Sequence, residues 1–400
     1  MRDLSHRMRG LPVQHFAALA PWIHRLQTSG VDVIRLDIGS PDMPPPQQVI
    51  DALSLSAAQQ DHHGYQDHRG IPRLRAAWAS FYYQRFGVEL DPDQEIVPLL
   101  GSKEGIFFLG QALLEPGAIA LVPDPGYLTY ANGTSFAGGE PYVMALREEH
   151  GYLPCLEDVP KTIADRASLL WLNYPNNPTG AGAEAGFFEE AVEFAREHDV
   201  LLCHDAVYTQ VTYDGHRAPS ILEIPEAKEV AIEFNTLSKS HNMAGWRAGV
   251  VVGNPQALEA IYTLKTHIDN GQFLPIMDAC VQALTGDREW VEKRNEIYRR
   301  RRDLVAGVLR ELGSSFLMPH GALYLWFACP PGWTSVGFSE ALLKDTGVSL
   351  APGLIFGDQG RGFARLSFCA PEARLADAMA RISDWWGQAV EEGGEHGRRS

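Results

Sequence analysis

Between residue 31 and about residue 285 the chain alternates short, uninterrupted apolar runs with longer stretches of helical period. No other feature restricts the fold as much. VDVIRLDI, EIVPLL, AIALVP, ASLLWLN, VLLCHD, EVAIEFNT and GVVVG are short, apolar and rich in β-branched residues. Several are apolar throughout rather than at every second position. A strand covered on one face alternates and a strand covered on both does not, so these runs read as buried parallel strands. Helical patterns lie between them. In IPRLRAAWASFYYQRF, Ile71, Leu74, Trp78, Phe81, Tyr82 and Phe86 recur at helical spacing, and Pro72 suits the first turn. The succession predicts an α/β layered domain with a mostly parallel sheet flanked by helices.

The texture changes after a long charged helix expected over roughly 290–312. FLMPHGALYLWFA, VSLAPG and GFARLSF predict a small sheet, with helices near 335–346 and 371–386. The expected division is an N-terminal arm over 1–45 that contributes to the small domain, a large domain over 46–285, and a small α+β domain over 286–400. The tail EEGGEHGRRS is expected to be solvated and mobile.

With 45% hydrophobic residues, 400 residues suffice for two cores. The formal net charge of -16, without a basic block, repels phosphate backbones and anionic lipid, which argues against nucleic-acid and membrane partners. Any anionic ligand must be held by a local cluster of cations. The five cysteines (Cys155, Cys203, Cys280, Cys329, Cys369) show no C-x-x-C spacing. MRDLSHRMRG lacks the apolar core of a signal peptide, and no apolar run is long enough to span a bilayer. A cytoplasmic, reduced protein is expected. GAGAEAG has the wrong spacing for a dinucleotide fingerprint, and GSK lacks the residue order of a P-loop. With no H-E-x-x-H and no Cys/His ligand set, no metal site is expected.

Four loops just after strand ends hold the informative residues, where open α/β sheets bind ligands. GSKEG (101–105) opens a helix, whose free N–H groups suit a phosphate; an ordinary strand-to-helix turn reads the same way. YPNNPTG (174–180) is rigid turn chemistry that also holds an asparagine side chain in one orientation. HDAVY puts Asp205 and Tyr208 at a strand end, where Asp205 caps a helix or faces a site. TLSKSHNMAGWRAG (236–249) places Lys239 and Arg247 in a tight loop between two apolar strands.

These stretches, with PDPGY (124–127 carries its last four residues) and GFARLSF, stand in the order found in pyridoxal-phosphate (PLP) enzymes of the class I/II aminotransferase family, fold type I, and span nearly the whole chain. The resemblance implies PLP as cofactor and a role for each matching residue. Lys239 resembles the lysine that forms the Schiff base with the cofactor aldehyde. Arg247 resembles the arginine that clamps the phosphate, helped by Thr236, Ser238 and the backbone of Ser102 and Lys103. Asp205 matches the aspartate that pairs with the pyridine nitrogen and keeps the ring electron-withdrawing. Asn177 and Tyr208 match donors to the ring's phenolic oxygen, and Tyr127 an aromatic stacked on the ring. Tyr65, in HHGYQDHRG, resembles the tyrosine that reaches the neighbouring subunit's phosphate, which implies a homodimer. Arg365, Gly39 and Asn177 resemble the groups that meet the substrate's α-carboxylate.

So read, the resemblance implies an aminotransferase that moves an amino group from an L-amino acid to a 2-oxo acid, with Lys239 as general base. The same cofactor residues would serve a PLP-dependent lyase of the carbon–sulfur β-lyase or aminocyclopropane-carboxylate synthase type. DVIRLDIGSPDMPPP, PDPGYLTYANGTSFAGGEPY and KTHIDNGQF look most like the LL-diaminopimelate aminotransferase group, which implies diaminopimelate and 2-oxoglutarate as partners. The chain departs from that group in LPVQHF, where Gln14 and His15 stand in place of a tyrosine.

Overall fold

A computed structural model describes residue 3, residues 6–9 and residues 15–396. Its strands are β1 (Ile34–Arg35), β2 (Ile96–Leu99), β3 (Ile119–Asp124), β4 (Glu140–Ala145), β5 (Ala167–Leu172), β6 (Leu201–Asp205), β7 (Ala231–Thr236), β8 (Gly249–Gly253), β9 (Tyr324–Ala328), β10 (Val348–Ser349), β11 (Ala351–Pro352) and β12 (Phe363–Ser367). One sheet of seven strands has the order β2-β8-β7-β6-β5-β3-β4. From β7 to β4 the neighbours run parallel, and β8 runs against both β7 and β2.

The apolar runs have the cause expected of them. β3, β7 and β8 are buried at every position, and β5 and β6 at all but one. Successive side chains enter opposite layers, as strand geometry requires. Leu170, Leu202 and Val250 join one core with Trp78 and Phe188. Trp171, Cys203 and Val251 join the other with Leu109 and Ile261. Leu170 and Leu202 are fully buried, and each such side chain contributes about 1.5–3 kcal/mol. The helix expected after residue 71 spans Pro72–Phe86, starts with Pro72 in its first turn and ends at Gly87, whose φ of 71° makes the left-handed cap.

Of the two edge strands, β4 is the open one, exposed at Glu140, Pro141 and Val143, so it lacks the continuous apolar run of its neighbours. Pro141 is tolerated there because an edge strand need not donate on both sides. Two strand expectations shrink. EVAIEFNT yields β7 only from Ala231, because Ala227–Val230 is a helical turn. VDVIRLDI yields only β1, which pairs in parallel with β10 and not with the seven-stranded sheet.

β11, β12 and β9 form an antiparallel sheet in that order. Helices Glu289–Glu311, Ser335–Thr346 and Glu372–His396 accompany it, and Tyr298, Phe338, Leu366 and Trp386 share its core. The segment expected as a mobile tail continues the last helix to His396; residues 397–400 lie outside the described residues. Val207, Tyr208 and Val211, from the loop after β6, also enter this core and join it to the large sheet.

Register brings the informative loops to one sheet edge. Gly249, at the start of β8, pairs with both Leu99 of β2 and Thr236 of β7. Asp205 ends β6 beside them. β9 and β12 supply Tyr324 and Arg365 to the same place.

Candidate active site

A cavity of about 390 Å³ opens at this edge. Gly39, Ser102, Lys103, Tyr127, Asn177, Asp205, Tyr208, Thr236, Ser238, Lys239, Arg247 and Arg365 all line it. Tyr65 does not; it lies on the surface, 91% exposed. Lys103, Lys239, Arg247 and Arg365 set four cations against the single carboxylate of Asp205. That is a local reversal of the protein's net charge.

The cationic end is built from backbone. Gly101 precedes helix Ser102–Leu113 with a φ of 86°, no N-cap side chain takes up its first N–H groups, and Ser102 and Lys103 of its first turn line the cavity. A Cβ on Gly101 would collide with the Arg247 guanidinium. Arg247 itself is left-handed, with a φ of 57°, and Gln272 Nε2 fixes that backbone by donating to the carbonyls of Arg247 at 2.7 Å and Trp246 at 3.2 Å. Thr236 caps the short helix Leu237–Ser240 by accepting from Ser238 N at 3.1 Å, and donates to Ala248 O at 2.7 Å.

Lys239 sits in that one-turn helix, and its Nζ donates to Gly39 O at 2.6 Å. Arg294, fully buried on the long helix Glu289–Glu311, holds the turn from behind through the Lys239, Ser240 and Gln210 carbonyls. Across the cavity floor, Asp205 accepts from the Tyr130 hydroxyl at 2.6 Å on Oδ2, while Oδ1 is buried without a protein partner. Burial pushes this carboxyl up to about 6, against the pull of the Tyr130 hydrogen bond and of nearby His204 and Lys239. Asn173 Nδ2 donates to Asp205 O at 2.6 Å, and Asn173 Oδ1 accepts from Asn177 N at 2.8 Å, so the 173–180 loop is locked to the end of β6.

At the other end, Arg365 is buried. Its Nη1 donates to Asn177 Oδ1 and its Nη2 to Asp37 O, both at 2.7 Å, while Nε has no protein partner. The guanidinium lies between the rings of Tyr324, 4.1 Å from its centroid, and Phe356, at 4.7 Å. Tyr208 and Tyr324 share a hydrogen bond at 2.8 Å between hydroxyls.

The chemistry of these donors is specific. One end takes an anion with several oxygens, the middle offers a carboxylate oxygen to a protonated nitrogen and an amine to an electrophile, and the far end takes a second carboxylate. Among the described residues no group of side chains is arranged to hold a metal ion.

Sequence reasoning missed Asn173, Tyr130, Tyr324, Gln272 and Arg294. Asn173 follows β5 directly, so the strand-end rule that found Asp205 applies to it equally. Tyr130 and Tyr324 stand in apolar surroundings and read as core. Asp269 accepts from Lys265 Nζ at 2.7 Å, outside the cavity. His15 borders a separate small cavity with Trp22 and Glu340, and Gln14 lies outside the described residues.

Similarity to known proteins extends over nearly the whole chain. The family described as "Aminotransferase class I and II" matches residues 31–382. An LL-diaminopimelate aminotransferase from Desulforudis audaxviator is 44% identical over 386 residues, covering 96% of this chain and 98% of that one. The substrate-bound BacF structure from Bacillus subtilis superposes with a TM-score of 0.92 at 37% identity, covering 96% of this chain and 98% of BacF. A single mutant of Thermus thermophilus aspartate aminotransferase gives a TM-score of 0.90 at 32% identity, with 96% and 100% covered.

Proposed function

The chain belongs to the aminotransferase class I and II family, and from that premise we propose that it moves an amino group between LL-diaminopimelate, or a related L-amino acid, and a 2-oxo acid such as 2-oxoglutarate. It is a PLP-dependent aminotransferase of fold type I. The lyase alternative is not favoured, because relatives covering nearly the whole chain bear aminotransferase names. The site assignment rests on one observation: an amine, a buried unpaired carboxylate oxygen and a buried guanidinium converge on a single cavity.

The side chains present fit the cofactor. Ser102 and Lys103 N–H groups, the Thr236 and Ser238 hydroxyls and the Arg247 fork would hold its phosphate. The free oxygen of Asp205 would take its ring nitrogen, Asn177 and Tyr208 its phenolic oxygen, Tyr127 its ring face and Lys239 its aldehyde. When bound, the cofactor supplies a carbonyl that accepts the amino group and a ring that withdraws electrons from the substrate.

The protein's own part is to orient and to move protons. Asn177 and the Asp37 carbonyl fix Arg365 in plane, which leaves its Nε edge for the α-carboxylate of an amino acid. Gly39 approaches the same carboxylate with its backbone. Lys239 Nζ shares the cavity and takes the Cα proton as general base. Asp205 must be ionised to meet a protonated ring nitrogen. A second copy of the chain would bring Tyr65 to the phosphate, which makes the working unit a homodimer. We place it in the cytoplasm; among the described residues no helix is long and apolar enough to cross a membrane.

The test is a half-reaction with L-glutamate and no oxo acid. One equivalent of 2-oxoglutarate per bound cofactor supports transamination, and LL-diaminopimelate is then assayed in the same format. Pyruvate and ammonia from a β-substituted amino acid, with no 2-oxoglutarate from glutamate, would overturn it.

A further inference from the structure

We propose that Tyr324 is a positioning residue that ties the donor on the cofactor's phenolic oxygen to the clamp on the substrate's α-carboxylate, through its hydroxyl at one end and its ring face at the other. The proposal rests on the reading above, in which Tyr208 and Arg365 face those two groups.

Tyr324 opens β9 and is 3% exposed. Its hydroxyl is 2.8 Å from that of Tyr208, and the two rings meet edge to face. Its ring face supports the Arg365 guanidinium at 4.1 Å. Its hydroxyl also occupies the space that a Cβ on Gly39 would need, and Gly39 O is the acceptor of Lys239 Nζ. One phenol therefore touches the residues assigned to the phenolic oxygen, the carboxylate and the backbone under the lysine.

Proton count fixes the direction of the tyrosine pair. A hydroxyl has one proton. If Tyr208 donates that proton into the cavity, its oxygen is free to accept, and the Tyr324 hydroxyl is the donor within reach. A donor that itself accepts a hydrogen bond is polarised and donates more strongly. Tyr324 thereby strengthens Tyr208 against the deprotonated phenolic oxygen. Burial holds Tyr208 above the usual phenol range, so it remains a donor at neutral pH. The charged and titratable groups facing the pair are Arg365, Asp205 and Lys239, with Tyr127 and Tyr130 beyond. Separately, a guanidinium stacked on a ring in a desolvated site gains most from the contact, and the ring fixes its plane.

The two contacts separate by substitution. Tyr324→Phe keeps the ring and removes the hydroxyl; Tyr324→Leu removes both. Two properties of the holoenzyme are read: the pKa of the bound cofactor's visible band, and the dissociation constant of 2-oxoglutarate added to the aldehyde form. Tyr324→Phe should raise the band pKa by about half a unit to one unit and leave 2-oxoglutarate binding within about twofold. Tyr324→Leu should raise the band similarly and weaken 2-oxoglutarate about three- to tenfold. A Tyr324→Phe band that titrates as wild type overturns the proposal, and so does equal 2-oxoglutarate binding by the two variants. Tyr208→Phe and Arg365→Lys test the underlying reading. If neither moves its own readout, the site assignment itself is wrong and the coupling falls with it.

Discussion

Replacing Tyr130 by phenylalanine removes one oxygen from behind Asp205 and keeps the ring stacked on Trp171, 4.8 Å between centroids. In the wild-type chain that oxygen donates to Asp205 Oδ2 at 2.6 Å, and Oδ1 is buried without a partner. Burial has already raised Asp205 to about 6, and the Tyr130 hydrogen bond is the largest of the effects restraining it. A hydrogen bond to a charged acceptor is worth about 1.5–3 kcal/mol. Its loss should raise Asp205 in the apoprotein by roughly one to two units, at about 1.4 kcal/mol per unit.

The consequence for the cofactor follows from charge. Asp205 must give up its proton to pair with a protonated ring nitrogen, so affinity falls as the pH drops below the apoprotein value. In Tyr130→Phe that fall should begin one to two units higher than in wild type, by the same estimate, with the two proteins converging at alkaline pH. The cofactor's own ionisations are common to both, so the difference between the profiles isolates Asp205. The apoprotein's stability changes in the opposite sense. A carboxyl raised by folding contributes stability that is fully present below its ordinary value of 3.8 and lost as pH rises through about 6. That contribution is about 3 kcal/mol in wild type and extends to higher pH in the variant. The assay is equilibrium titration of apoprotein with PLP between acid and alkaline pH, followed by protein fluorescence, with urea unfolding of the apoprotein beside it. Superimposable affinity profiles would refute the assignment of Asp205 to the ring nitrogen.

Other substitutions address the remaining assignments. Lys239→Ala should abolish the borohydride-reducible link between protein and cofactor, and a trapped adduct in that variant would point to another lysine. Arg365→Ala removes a charge-assisted fork worth about 3–4 kcal/mol, so kcat/KM should fall by two to three orders of magnitude for every amino acid alike. A loss confined to one substrate would mean that Arg365 reads the distal group. Gly101→Ala places a Cβ against Arg247 at a φ of 86° and should lower PLP affinity, with about 1–3 kcal/mol of strain added; unchanged affinity in equilibrium dialysis refutes the cradle. Mixing Tyr65→Ala with Lys239→Ala should restore one intact site per mixed dimer, about a quarter of wild-type activity in an equal mixture. No restoration would mean that Tyr65 does not serve its neighbour's site.

The large sheet was legible because most of its strands are covered on both faces, which favours runs of mostly apolar residues at consecutive positions. The strand β4 and the pairing of β1 were not, for opposite reasons. The first is an exposed edge, and the second takes its partner, β10, from more than three hundred residues away. The cavity-lining loops were legible because a tight turn at a strand end restricts residue choice to glycine, proline, asparagine and a few functional side chains. Tyr130 and Tyr324 carry no such mark. What distinguishes each from a core tyrosine is a hydroxyl partner 75 or 116 positions away, Asp205 and Tyr208 respectively. Pairings of that kind are settled by packing and leave no local trace.

Arg365 shows why the substrate end was harder to read than the cofactor end. The residues proposed to hold the cofactor hang on adjacent strand ends of one sheet, so register alone collects them. Arg365 instead lies on β12, bonds to Asn177 after β5 and to Asp37 after β1, and stacks on Tyr324 of β9. Four chain segments from all three sheets must meet before its guanidinium has an orientation. A substrate carboxylate bound there therefore contacts a joint between the two parts of the molecule, and any change in how they pack should alter substrate affinity before it alters cofactor affinity. Urea below the unfolding transition tests that order: KM for the amino acid should rise at concentrations that leave the cofactor band unchanged. Simultaneous loss of both would mean that the two ends of the cavity open as one unit.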